Sequence, residues 1–352
     1  MRFCRLFLFL LCLAALEPGC RSNESDEIPA ETMAGYSPVP MENVVLLETD
    51  STQSLAHIMG SLSRYQEAYI NSVCVHLPSS YNAGDLRDLV DSCHQVGINL
   101  FLHQNQPDAA TAWVKRYNVD GFHCTGSSLK PPAYWESKLD SFNQLRPVLL
   151  IAHNATDELK SAGFAAASDD GFANALDAVM INDAPVSRLD TALLGEKLFF
   201  SKSFPAVRCV SAQAGGGPRE EAELLAAFAL PGAPCLTEDQ LETHAAFLKT
   251  FLTLYTNSPV LQYGDCSFYD AGTEDVFTVI REFQGKKLLF AINMRNHSAS
   301  YKWPDNLAGI KTELILGENI TRNGGQELSP YGYQILSFEN IVGIEALELD
   351  NK

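Results

Sequence analysis

From Val44 to about Asn257 the chain repeats one unit, a short apolar run followed by an amphipathic stretch. Strand candidates span residues 44–48, 72–77, 99–103, 121–124, 148–153, 178–182, 208–211 and 234–236. Helix-like stretches such as 86–96, 109–117 and 222–230 lie between them, with apolar residues three and four apart. Eight strand–helix alternations of this kind predict a closed (β/α)8 barrel. The span is near the short end for that fold, so most loops are expected to be trimmed. After about Val260 the helices stop. Runs at 276–283, 288–294, 298–303, 312–316 and 332–338 are joined by turns such as Gln284-Gly285-Lys286-Lys287, which predicts an antiparallel β-sandwich. The expected division is 1–20 leader, 21–42 acidic linker, 43–259 barrel and 260–352 sandwich.

The leader has Arg2 and Arg5 ahead of an apolar run at 6–16. That run is shorter than the roughly 20 residues of a membrane-spanning helix, so it reads as a signal peptide or a short signal-anchor. Gly19-Cys20 resembles the end of a bacterial lipoprotein signal, and Cys20 is therefore a lipid or disulfide anchor candidate. Export to the extracellular space or cell surface is the expected location. Sequons begin at Asn23, Asn154, Asn296 and Asn319, and the last three are glycosylation candidates. A net charge of −18 argues against a nucleic-acid partner, which needs basic surface. Cys74, Cys124, Cys209 and Cys235 fall on strand-like runs and fit buried thiols as well as disulfides. No C-x-x-C pair exists, and the Gly-rich stretch 214–218 lacks the Lys-Ser/Thr of a phosphate loop.

Val119-Asp120-Gly121-Phe122-His123-Cys124-Thr125 resembles the fourth-strand motif V-D-G-F-R-x-D of the α-amylase family, glycoside hydrolase family 13. Further matches follow in order. They are 85–91 with His94-x-x-Gly97-Ile98-Asn99-Leu100 before strand three, 149–154 at strand five, and Leu230-Pro231-Gly232-Ala233-Pro234 entering strand eight. Residues 287–293 and Ser329-Pro330-Tyr331-Gly332-Tyr333 resemble the family's C-terminal sandwich. The resemblance implies where the reacting carboxylates should stand, and those positions are changed. His103 replaces the third-strand aspartate, Thr125 the nucleophile, His153 the acid/base glutamate, and Ala214 the last residue of the seventh-strand N-H-D. Retaining hydrolysis needs two carboxyl groups about 5–5.5 Å apart, so no catalytic residue is assigned and no cofactor is expected. Of the nearby acids, Asp120 has the wrong strand parity, and Asp157 and Glu158 read as first-turn acids of a helix capped by Thr156.

Within the family the chain resembles the heavy-chain subunits of heteromeric amino-acid transporters, through its fifth-strand region and through the short link between strands three and four. That implies an ancillary ectodomain whose partner is a transporter light chain or another membrane protein. Two other readings stand beside it. A degenerate carbohydrate-binding protein would use His103, His123 and the loop aromatics Tyr134 and Trp135. A metal-binding barrel would use His103, His123 and His153, all expected at the carboxyl ends of neighbouring strands. Trp113 is expected to pack on its helix.

Overall fold

The computed structural model describes residues 40–77, 81–104, 107–127, 130–168, 170–210, 216–303, 312–318, 321–322 and 325–339. The expected leader with Cys20, and the candidates Ala214 and Asn319, lie outside the described residues. Eight parallel strands close into a barrel. They are β1 (Leu46–Glu48), β2 (Ser72–Val75), β3 (Asn99–His103), β4 (Gly121–Cys124), β5 (Leu149–His153), β6 (Ala166–Ser168), β7 (Ala206–Cys209) and β8 (Ala233–Thr237). β8 returns to β1 with Cys235 opposite Leu46. The crossovers carry α1 (Leu55–Glu67), α2 (Ala83–Gln95), α3 (Pro107–Tyr117), α4 (Pro132–Asn143), α5 (Asp157–Ser161), α6 (Asp170–Ile181), α7 (Ser187–Glu196) and α8 (Pro218–Phe228). Among the described residues, α3 alone stands between β3 and β4, as the trimmed link predicts. Among the described residues, no helix is long and apolar enough to cross a membrane.

Local chemistry sets the helix starts. Ser54, Asn82 and Thr156 each accept a backbone N–H at the first turn of α1, α2 and α5. Asp157 and Glu158 are first-turn acids of α5, as expected. A further helix, α9 (Glu238–Thr243), begins with a reciprocal cap between Thr237 and Gln240. Then come α10 (Ala245–Asn257) and α11 (Pro259–Tyr263).

Side chains along each strand alternate between two cores. Leu46, Cys74, Phe101, Ile151, Ala166, Val207, Ala233 and Cys235 fill the barrel interior. Leu47, Val73, Leu100, Phe122, Leu150 and Ala167 face the surrounding helices. Gly121 is where this packing is tightest. A Cβ there would lie 2.4 Å from the Phe101 ring and 2.5 Å from the Leu149 carbonyl oxygen. The glycine of the fourth-strand motif is therefore a packing requirement.

The sixth strand differs from expectation. Residues 178–182 lie mostly in α6, where Phe172, Ala175, Leu176, Val179 and Met180 form a buried face at helical spacing. The strand itself is the short Ala166–Ser168, whose small residues give little β signal. A brief apolar run cannot be assigned by periodicity alone.

The C-terminal region is antiparallel, as the sequence predicts. Its strands are β9 (Asp265–Phe268), β10 (Val276–Phe283), β11 (Lys286–Asn293), β12 (Ala299–Tyr301), β13 (Thr312–Gly317), β14 (Thr321–Arg322), β15 (Gly325–Leu328) and β16 (Tyr333–Glu339). They form a five-stranded sheet, β13-β16-β11-β10-β9, and a three-stranded sheet, β12-β15-β14. Arg281 on β10 ties this region to the barrel. Fully buried, it donates to the carbonyls of Ala229 (3.0 Å), Leu261 (2.8 Å) and Gly264 (3.0 Å). Arg281→Met should leave those carbonyls unpaired and lower unfolding stability by about 3 kcal/mol. Urea denaturation measures this, and an unchanged midpoint would show that the guanidinium is not the tie.

Candidate functional site at the barrel mouth

The inward parity that places Leu46 in the barrel core brings Glu48, two residues on, to the carboxyl end of β1. Register sets Glu48 beside Cys74 on β2, and His103 on β3 beside His123 on β4. The Glu48 carboxylate faces His123 Nδ1 at 2.9 Å and His103 Nε2 at 3.3 Å. His76, just beyond β2, stacks on His103 with centroids 3.6 Å apart and planes 15° from parallel. The His103 and His123 rings are 4.6 Å apart and tilted. On its other side His123 Nε2 meets Ser168 Oγ of β6 at 3.4 Å, and Ser168 Oγ meets His153 Nδ1 at 3.3 Å.

Burial alone would raise the Glu48 carboxyl, but hydrogen bonds and charge from His103 and His123 outweigh it and hold Glu48 well below the usual carboxylate range. Burial, and next the neighbouring His103, pushes His76 down. Burial and then Glu48 push the Cys74 thiol well up. At Cys235 the largest cause of a raised thiol is its contact with Cys209, followed by burial. All six described cysteines are free.

The sequence candidates divide. His103 and His123 come together as expected, but His153 stands apart. It is more exposed than either, with Nε2 3.7 Å from the Asp170 carboxylate. Glu48 and Cys74 take its place in the ligand-spaced group, where one donor atom each of Glu48, Cys74, His103 and His123 lies within 4.8 Å of the others. Thr125 is exposed in the turn after β4. Asp120 points away from the interior, as its parity predicts. Its carboxylate accepts from Leu100 N (2.6 Å) and Arg146 (3.0 Å) and meets His94 Nε2 at 2.8 Å. Asn154 and Asn296 are exposed. Trp113 donates to the Tyr81 hydroxyl and stacks near Phe122, in keeping with helix packing.

Trp135 corrects the sequence expectation. It sits on α4 rather than in a loop, is 2% exposed, donates to the Ser127 carbonyl at 2.9 Å and packs edge-on against Phe164. Tyr134 also sits on α4 rather than in a loop but is partly exposed, with Lys130 and Lys138 ammonium groups 5.3 and 5.6 Å from its ring centre. A cavity of about 400 Å³ lies away from the mouth, lined by Glu196, Phe200, Arg208, Tyr263 and Phe268 among others. It holds the buried Arg208–Glu196 pair at 2.7 Å. Cys74 is a free buried thiol, one of the two alternatives its strand-like run allowed, whereas Glu48 and His76 carry no sequence signal beyond the inward parity that Glu48 and Cys74 share with Leu46 and Phe101. Trp135→Ala should lower stability by about 3–5 kcal/mol, as for other buried aromatics, and Tyr134→Ala by under about 1 kcal/mol. Thermal and urea unfolding check this; equal effects would mean that the two rings are not divided between core and surface.

No family model matches the chain, and no curated protein matches it. Solved structures do. A noncanonic maltogenic alpha-amylase AmyB from Thermotoga neapolitana superposes with a TM-score of 0.73 at 12% identity, covering 86% of this chain and 100% of that one. An alpha-amylase from Geobacillus thermoleovorans, complexed with acarbose, gives 0.69 at 12% identity over the same shares. An alpha-amylase from H. orenii gives 0.67 at 12%, covering 84% of this chain and 99% of that one. At such identity the likeness establishes architecture only: a closed (β/α)8 barrel followed by an antiparallel C-terminal region, which is the α-amylase fold.

Proposed function

We propose that this chain is an α-amylase-fold ectodomain that does not hydrolyse α-glucans and serves as an ancillary subunit for a membrane partner. One observation carries the first half. Where β3, β4 and β5 open at the mouth, the side chains are His103, Thr125 and His153; of the nearby carboxylates, Glu48 is engaged by two imidazoles and Asp170 stands 3.7 Å from His153 Nε2 at the start of α6. Double displacement needs one carboxylate free to attack C1 of the sugar and one carboxylic acid to protonate the leaving oxygen. The shift of Glu48 toward its charged form argues against the acid role, and the two imidazoles that occupy its inward oxygen leave it poorly placed to attack. A threonine hydroxyl without an adjacent base is a poor substitute for the nucleophile.

The second half is supported by the apolar leader and acidic linker ahead of the barrel, and by exposed apolar side chains near α6 and α7. Ile181, Leu194 and Leu198 are 50%, 60% and 77% exposed. The test uses purified full-length chain with maltoheptaose and an aryl maltooligosaccharide. Product formation should match the protein-free control. Turnover near the roughly 1 s⁻¹ floor of ordinary enzymes would overturn the first half. Cross-linking in its native membrane should yield a stoichiometric complex with a multi-spanning protein. Recovery of the chain alone would overturn the second half.

A further inference from the structure

We propose that the barrel mouth holds a single borderline divalent cation of the zinc class, ligated by Glu48, Cys74, His103 and His123. This is independent of whether the chain hydrolyses sugars. The four donors come from four consecutive strands, β1 to β4, and lie within 4.8 Å of one another. A tetrahedral ion with bonds near 2.0–2.3 Å sets its ligand atoms roughly 3.3–3.8 Å apart. The Glu48 contacts, 2.9 Å to His123 and 3.3 Å to His103, are already at or just inside that spacing. Small side-chain rotations therefore open the cluster around an ion without moving the strands.

The donor set selects the metal. One thiolate and two imidazoles favour zinc or its neighbours over magnesium and calcium, which want oxygen ligands. Four protein ligands from a packed barrel describe a closed, structural site. Ser168 supplies an outer contact of the kind that orients a ligating histidine, with Oγ 3.4 Å from His123 Nε2. Protons balance simply. On binding, the Cys74 thiol releases its proton to solvent. The nitrogens that donate to Glu48 before the ion binds, His103 Nε2 and His123 Nδ1, must be bare to ligate, so each neutral ring moves its proton to the other nitrogen, and that of His123 on Nε2 is directed to Ser168 Oγ. A rival group, Glu48 with Cys209 and Cys235, also has its donors within 4.8 Å. It offers three ligands against four and competes for the same carboxylate.

Cobalt(II) titration of the reduced, full-length chain decides the matter. The expected result is one cobalt per chain, with intense visible bands of tetrahedral geometry and a thiolate-to-cobalt charge-transfer band, all removed by zinc. Cys74→Ser should abolish the charge-transfer band, and Ser168→Ala should weaken binding by about 10–100-fold. His103→Ala and His123→Ala should weaken it at least as much. His153→Ala and Cys209→Ser should leave the spectrum unchanged. A pale octahedral spectrum without a thiolate band would overturn the site, even if every variant misfolded. So would a spectrum that survives Cys74→Ser or is lost in Cys209→Ser.

Discussion

Inside a closed eight-stranded barrel only every second residue of each strand has a place, and that alternation governs everything found at the mouth. Small and medium side chains fill the lower interior, and Phe101 claims the space that forces Gly121 to lack a side chain. One step further along the same inward rows, the polar residues appear: Glu48 above Leu46, His103 above Phe101, His123 above Gly121 and Ser168 above Ala166. Their convergence follows from strand parity and register, without any special loop. The same alternation sends Asp120 outward, where it binds Leu100 N and Arg146 and helps fix the β3–β4 edge.

The electrostatics of the mouth differ from what two reacting carboxylates require. Glu48 sits between two imidazoles that favour its charged form, and the thiols around it are driven toward their neutral form, by burial at Cys74 and by the Cys209 contact at Cys235. The result is a compact cluster of hydrogen-bonded donors and acceptors, suited to holding a charge in place. Sugar hydrolysis needs acids that change protonation during the reaction. Both the proposed loss of hydrolysis and the proposed cation site start from this cluster, but they stand on different parts of it. The first concerns His103, Thr125 and His153 as replacements; the second concerns the spacing of four donors.

Much of the fold was legible in the sequence, for physical reasons. Long amphipathic stretches with three- and four-residue spacing became α2, α3 and α8, and the Thr156 cap started α5 where first-turn acids predicted it. The parity of Asp120 could be read because the fourth strand is flanked by a motif that fixes its register. β6 was missed because Ala166-Ala167-Ser168 carries no branched or aromatic side chain, while the apolar end of α6 offered a louder but false strand. Trp135 was misplaced because Pro131-Pro132 looks like a loop; Pro132 instead occupies the first turn of α4, where proline is tolerated. The candidate site was half legible. His103 and His123 were found through the resemblance, but Glu48 and Cys74 lie on strands where the resemblance carried no motif. The parallel pairing of β1 with β2, β2 with β3 and β3 with β4 brings them to the histidines.

The proposed loss of hydrolysis requires that no acid at the strand ends, Glu48 and the exposed Asp170 beside His153 included, attacks a sugar. A mechanism-based α-glucoside probe, a cyclitol aziridine that traps the nucleophile of retaining enzymes, tests this directly by intact mass. The predicted result is an unmodified chain after prolonged exposure, alongside a fully labelled active amylase. One adduct per chain, mapped to Glu48 or another acid at the strand ends, would contradict it.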